Sequence, residues 1–340
     1  MDTLKRILIS AFLLAASSAT AQTTAKYAGE FLSIGAGARS LGMGGAHVAL
    51  ANDVTAVYWN PAGLAQLNYP EISLMHAEQF AGIVKYNFGA LALPHGKDAS
   101  FGVGLIRLAV DDIPFTRLPR EDLDLGEPYV DENGVTRINR PFVEREFSNA
   151  EYAFFLSYAR AKSAYLSYGG SVKIVQKGFD DTSAWGIGFD IGAQLRLRNG
   201  LRLGANLQDA TTTILAWNTG RKELIVPTLK IGATLPMSVG FLKGTLFPAV
   251  DADIRFEGRE QAAQISGGPA SMDIHAGFEY LYKESLALRA GTDTGNFSAG
   301  AGLRLPKLEV DYAFMSHSDL KNTHRISLKI SLQEKKFRRK

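Results

Sequence analysis

From Glu71 to Leu332 the chain alternates apolar and polar residues with a period of two. After its first residues it holds no apolar run of the eighteen or more that a membrane helix needs. Between Trp185 and Arg198 the residues Trp185, Ile187, Phe189, Ile191, Ala193, Leu195 and Leu197 alternate with Gly186, Gly188, Asp190, Gly192, Gln194, Arg196 and Arg198. Asn199-Gly200 then supplies a two-residue hairpin turn, and Leu201, Leu203, Ala205 and Leu207 resume the apolar face. The pattern returns with Val250, Ala252, Ile254 and Phe256, again from Met272 to Tyr280, and last with Ile326, Leu328, Ile330 and Leu332. An all-β chain follows, each strand having one apolar and one polar or glycine face.

In a soluble sandwich the apolar face is the core; in an outer-membrane barrel it meets lipid and the polar face lines the lumen. Loop lengths separate the two. The alternation predicts fourteen strands, from 71–79 to 324–333. The connections at 161–163, 199–200, 283–285 and 306–307 are short, whereas those at 111–148, 209–225, 257–271 and 316–323 are long. Short turns fall at one end and long loops at the other, which predicts a 14-stranded antiparallel transmembrane β-barrel in the lipid of the bacterial outer membrane, with the end of the N-terminal segment and the C terminus at the short-turn end. Closure leaves no strand edge unpaired in lipid. Tyr152, Phe154, Tyr165, Tyr168, Tyr280, Tyr282, Tyr312 and Phe314 are candidates for the aromatic girdles. Loop 111–148 carries ten acidic and five basic residues and four prolines, and at this length it is a functional loop, a lid or a disordered excursion.

The N-terminal region does not alternate. Lys5 and Arg6, an apolar run over 7–16 and Ala19-x-Ala21 predict a signal peptide over 1–21. Residues 22–69 are dense in Gly and Ala and end in Asn60-Pro61-Ala62-Gly63, where Asn60 is placed to cap a short helix opened by Pro61, as Asp53 is for an earlier turn. These residues are read as a small hatch of short helices and loops inside the lumen, with the barrel over 70–334 and a basic tail over 335–340. Arg39 is the one charged residue between Glu30 and Asp53. A buried Arg needs a carboxylate. The lumen face offers Asp190, Asp251, Asp253, Asp273 and Glu279, with Glu309 and Asp311 further on.

A formal charge of +3 points to neither nucleic acid nor an acidic partner. The chain has no cysteine, so no disulfide framework or thiolate metal site arises. His47, His76, His95, His275, His317 and His324 lack metal-ligand spacing, and no metal or cofactor is expected. Gly35-x-Gly37 and Gly42-x-Gly44-Gly45 lack the preceding strand and following helix of a phosphate loop, so tight packing explains them better. There is no G-x-S-x-G elbow, and no catalytic residue is assigned. His275, flanked on the lumen face by Asp273 and Glu279, is the one acid–base candidate, on a face where polar residues are expected anyway.

Gly35 to Leu50, GAGARSLGMGGAHVAL, with Asn52-Asp53 and then Tyr58-Trp59-Asn60-Pro61-Ala62-Gly63, resembles the N-terminal signature of the PorV/PorQ family of the FadL-like outer-membrane group. That resemblance implies a fourteen-stranded barrel with an N-terminal hatch. It also implies a non-enzymatic part in type IX secretion, where the barrel receives secreted cargo proteins and hands them to other secretion components. The alternative it implies is a FadL-like channel that passes a hydrophobic small molecule past the hatch.

Overall fold

The structure, a computed structural model, describes residues 28–259, 262–317 and 322–339. The expected signal peptide, 1–21, lies outside the described residues. Alternating apolar residues draw the chain into long strands, and each strand pairs antiparallel with its neighbours: β1 (Glu71–Gln79), β2 (Val84–His95), β3 (Ala99–Arg117), β6 (Phe142–Ala161), β7 (Leu166–Phe179), β8 (Thr182–Arg196), β9 (Arg202–Gln208), β12 (Thr228–Thr234), β14 (Gly244–Arg255), β16 (Ala270–Tyr282), β17 (Leu286–Asp293), β18 (Asn296–Arg304), β19 (Leu308–Met315) and β20 (Thr323–Ser331). β20 returns to β1 in the register Glu71↔Ser331 to Glu78↔His324, which closes the fourteen-stranded barrel. The expected fold class is borne out.

The alternation sorts the wall. Leu74, Leu156, Ile187, Ile191 and Ile326 point outward and are exposed, whereas Ser73, Met75, Phe155, Asp190 and Glu279 point inward and are buried. Outward residues therefore form the belt that a bilayer solvates, and the barrel fits an outer membrane.

Six further strands lie in the loops. β4 (Pro128–Val130) and β5 (Thr136–Ile138) form a separate hairpin; β10 (Thr213–Trp217) and β11 (Lys222–Ile225) pair with each other; β13 (Met237–Val239) pairs with β14, and β15 (Ile265–Gly267) with β16. Loop 111–148 is not a disordered excursion. β3 and β6 stay paired beyond their neighbours to Arg117↔Phe142, with register shifts after Val110 and Phe115. At the tip Asn139 is buried, accepting a hydrogen bond from Arg120 N (3.1 Å) and donating to Arg120 O (2.8 Å) and Leu123 O (3.0 Å). Arg145 lies over the Phe115 ring at 4.7 Å and grips Asp180 through two 2.6 Å bonds, which fixes the arm's base to the barrel. The other large loop turns inward: β10 pairs with the top of β8 at Ala216↔Trp185, Leu215 is buried, and Ile225 covers Gly29.

Val172 sits midway along β7 on the exposed face. Val172→Arg is expected to destabilise the bilayer-inserted barrel by about 2–4 kcal/mol, read from urea unfolding out of lipid vesicles.

Candidate functional site

The segment from Ala28 to Leu67 runs through the lumen from one mouth to the other. At the loop end Ala28 O accepts from Lys177 Nζ (3.1 Å) and Glu30 pairs with Arg255 (3.0 Å). At the other end Pro70 O receives Leu332 N and Leu67 O receives Arg339 Nε, both beside the barrel's short turns. Between these points lie helical turns at Ala38–Leu41 and Ala56–Trp59 and a 3-10 helix at Pro61–Gln66.

Local chemistry sets those turns. Asp53 Oδ1 accepts from Thr55 N (2.9 Å) ahead of the Ala56 turn. Asn60 Oδ1 accepts from Ala62 N (3.2 Å) over the Pro61 turn, while Asn60 Nδ2 reaches Val48 O and Ala193 O, both at 3.1 Å. One side chain thus caps a helix, ties two hatch turns together and touches the β8 wall. Trp59 Nε1 donates to Ala36 O at 2.6 Å.

The hatch meets the wall in three ways. On the β2–β7 side the contact is apolar: Val57, Tyr58 and Leu64 are buried with Tyr86, Phe88, Ile106, Phe155 and Val175. On the β16–β18 side backbone meets backbone. Met43 and Gly44 sit on Gly277, Gly291 and Thr292; a Cβ on Gly291 would fall 2.3 Å from Met43 C, and Gly44 itself has a φ of +68°. Gly42 faces Gly300 in the same row, Gly35 packs under Leu41 and Trp59, Gly37 beside Thr55, Gly45 beside His275, and Gly63 leaves room for Ala51 O.

The third contact is ionic. Glu279 accepts from Arg39 Nε (2.9 Å) and Nη2 (3.0 Å), from Arg289 Nε (2.7 Å) and from Arg304 Nη2 (3.2 Å). Arg304 goes on to Glu309 (2.8 Å), Lys329 bridges Glu309 (2.7 Å) and Asp53 (3.1 Å), and Asp53 lies 3.6 Å from Arg39. Six groups form a closed ring, with Arg289–Asp311 (2.6 Å) as a branch. Burial alone would raise the Asp53 carboxyl, but Lys329 and Arg39 hold it well below the usual carboxylate range. Burial pushes the His47 imidazole down to about 3, so it is neutral.

Of the acids expected to hold the hatch, Glu279 takes Arg39, and Asp251 accepts the backbone N–H groups of His47 (2.6 Å) and Val48 (2.7 Å). The other three serve the wall: Asp190 pairs with Lys173 (3.2 Å), Asp253 with Lys230, and Asp273 with Arg259. Lys329, Glu71 (from Val54 N, 3.0 Å) and Gln194 (to Ala51 O, 2.8 Å) also hold the hatch and were missed. Their inward place in the alternation was the available signal. The acid–base candidate is not assembled: His275 meets Gly44 O (3.1 Å), Asp293 (3.0 Å) and Asp253 (3.5 Å), not Asp273 or Glu279. Among the described residues no group of three or more His, Asp or Glu is arranged to hold a metal.

Each mouth has a cleft. At the loop end Leu32, Leu224, Ile225 and Val226 with Gln208 and Arg255 line a narrow cleft of about 50 Å³. At the other end a cleft of about 360 Å³ lies between Gln66, Asn68 and the turns leading into β7 and β9. The charge differs as well. The short turns and tail carry Lys97, Lys162, Arg198, Lys243, Lys283, Lys307, Lys335, Lys336, Arg338 and Arg339 against Asp98, Glu284 and Glu334, whereas the arm over 111–148 is acidic.

A family model described as an uncharacterised protein family (UPF0164) matches residues 9–106. No curated protein matches the chain. Among solved structures the fold is similar to the Ralstonia pickettii toluene transporter TbuX, with 15% identity, a TM-score of 0.56, and 87% of this chain and 97% of that chain covered. It is similar also to the Pseudomonas putida toluene transporter TodX (15%, TM-score 0.52, 87% and 97% covered) and to a Pseudomonas aeruginosa FadL homologue (12%, TM-score 0.53, 86% and 97% covered). The likeness is one of fold, that of FadL-type barrels, and does not extend to the finer PorV/PorQ naming.

Three guanidinium groups converge on Glu279, while Arg39 is only one of its three donors. Glu279→Ala is therefore expected to cost about 3–5 kcal/mol by leaving buried cations uncompensated, and Arg39→Ala distinctly less. Heat-modifiability on gels and protease cleavage within residues 35–65 would show the order; equal effects would contradict the ring.

Proposed function

We propose that this chain is a FadL-type outer-membrane channel that passes apolar small molecules and carries out no catalysis. The observation that carries the reading is the fold-level likeness to two toluene transporters, combined with a hatch held unequally on its two sides. A solute approaching the narrow loop-end cleft meets Leu32, Leu224 and Ile225 beside the charged side chains of Glu30, Arg255 and Glu257. Below it lies the apolar seam between Val57, Tyr58 and Leu64 and the β2–β7 wall. Parting that seam breaks no ion pair, whereas parting the opposite side breaks the Arg39–Glu279–Lys329 ring. The seam is the route of least cost for an apolar solute.

The second reading, a secretion component that handles protein cargo, draws support from the ordered arm, which presents Leu125, Val130 and Val143 exposed among acidic side chains. Val57 faces Gly104, where a Cβ would lie 2.9 Å from Val57 Cγ2. The chain has no cysteine of its own, so Val57→Cys with Gly104→Cys gives a clean lock across the seam. Cells making the wild-type barrel should take up labelled toluene faster than cells without it; oxidation of the double variant should stop the gain and reduction restore it. No gain with the wild type, together with secreted proteins recovered on the tagged barrel, would replace transport by the cargo reading.

A further inference from the structure

At the mouth formed by the short turns, Arg196 of β8 and Arg202 of β9 stand directly opposite each other in the pairing register. Like charges so placed repel. Among the described residues neither has a carboxylate within ion-pair distance, whereas Lys173, Lys230 and Arg39 in the lumen are each paired. Both line the cleft of about 360 Å³, whose remaining polar lining, Gln66, Asn68, Ser163, Ser167 and Gln194, is neutral. The cleft also reaches the outer surface of the wall, where Tyr165 and Leu195 are exposed. A cation pair without an anion thus sits beside an apolar and aromatic rim.

We propose that this cleft binds the phosphate of an anionic phospholipid, with Arg196 and Arg202 on the phosphate and the acyl chains leaving past Tyr165 and Leu195. A guanidinium fork matches phosphate oxygens in two-point fashion, and two forks facing each other supply the donors for one such group. The apolar rim selects a lipid over a free anion, since inorganic phosphate gains nothing from Tyr165 or Leu195. The surrounding basic turns raise the local concentration of anionic headgroups. The assignment stands independently of which solute the lumen passes.

The test is native mass spectrometry of the full barrel in detergent, titrated with phosphatidylglycerol and, separately, with inorganic phosphate. The wild type is expected to retain phosphatidylglycerol. Arg202→Gln should weaken retention about tenfold, the loss of one charge-assisted hydrogen-bonding partner, and Arg196→Gln with Arg202→Gln should abolish it. Lys335→Gln with Lys336→Gln removes two charges from the same mouth outside the cleft and should leave retention unchanged. The heat-induced gel shift of each variant reports that the barrel has formed. Equal retention by the folded Arg196/Arg202 double variant overturns the site, and binding of inorganic phosphate with no lipid retained overturns the lipid assignment.

Discussion

In a bilayer there is no water to take an unpaired backbone amide, and the pairing of β20 with β1 is what leaves none on the wall. The remaining architecture follows from that closure. Fourteen strands enclose a lumen too wide for wall side chains alone to fill. The hatch is therefore the core of this molecule in the sense that a hydrophobic interior is the core of a soluble domain: Tyr58, Leu64, Met43 and Leu50 are as buried as any side chain in the chain. The belt outside is apolar for lipid, so the wall's polar positions are forced inward, onto a plug that must satisfy them.

That requirement is met asymmetrically. On one side the wall supplies alanines and aromatics and the hatch answers with Val57, Tyr58 and Leu64. On the other side it supplies Glu279, Arg289, Arg304, Glu309 and Lys329, and the hatch answers with Arg39 and Asp53. Charges taken out of water are costly, and mutual attraction offsets the cost only when each carries full hydrogen bonding. The ring achieves this by sharing: Glu279 serves three guanidinium groups, and Lys329 serves two carboxylates. Removing any one member of such a ring leaves a buried charge without its partner, so the ring ties the hatch to one position on this wall.

The strands were legible because their period is a direct consequence of one hatch-facing and one lipid-facing surface; the expected 71–79 is β1 as found, and 324–333 differs from β20 by one residue at its start and two at its end. The continuation of β3 and β6 past the barrel was not legible. Register shifts near Asp112 and the prolines there break the alternation that marked the other strands. For the hatch, Arg39 stood out by being alone, and the wall acids by facing inward. Their pairing depended on how far round the barrel each strand lies and how deep the hatch sits, neither of which a local pattern encodes. Asp190 and Asp253 look the same as Glu279 in sequence, yet each has a wall lysine closer than any hatch group.

The row of glycines against the hatch adds a mechanical consequence. Where Met43 and Gly44 lie on Gly277 and Gly291, main chain rests on main chain, with no side chain between them to change rotamer. A displacement there has to move a strand that is paired on both sides. Along the seam, by contrast, Val57, Leu64, Phe88 and Phe155 can repack at the modest cost of rearranged apolar contacts. Main-chain contact recurs on the other half, where Gly169 of β7 lies on Pro61 and Ala62 and Gly204 of β9 lies on Val48, but the wall members of the ion ring all belong to β16 to β20. The ionic constraint on the hatch therefore lies on one half of the barrel and the apolar packing of Val57 and Leu64 on the other.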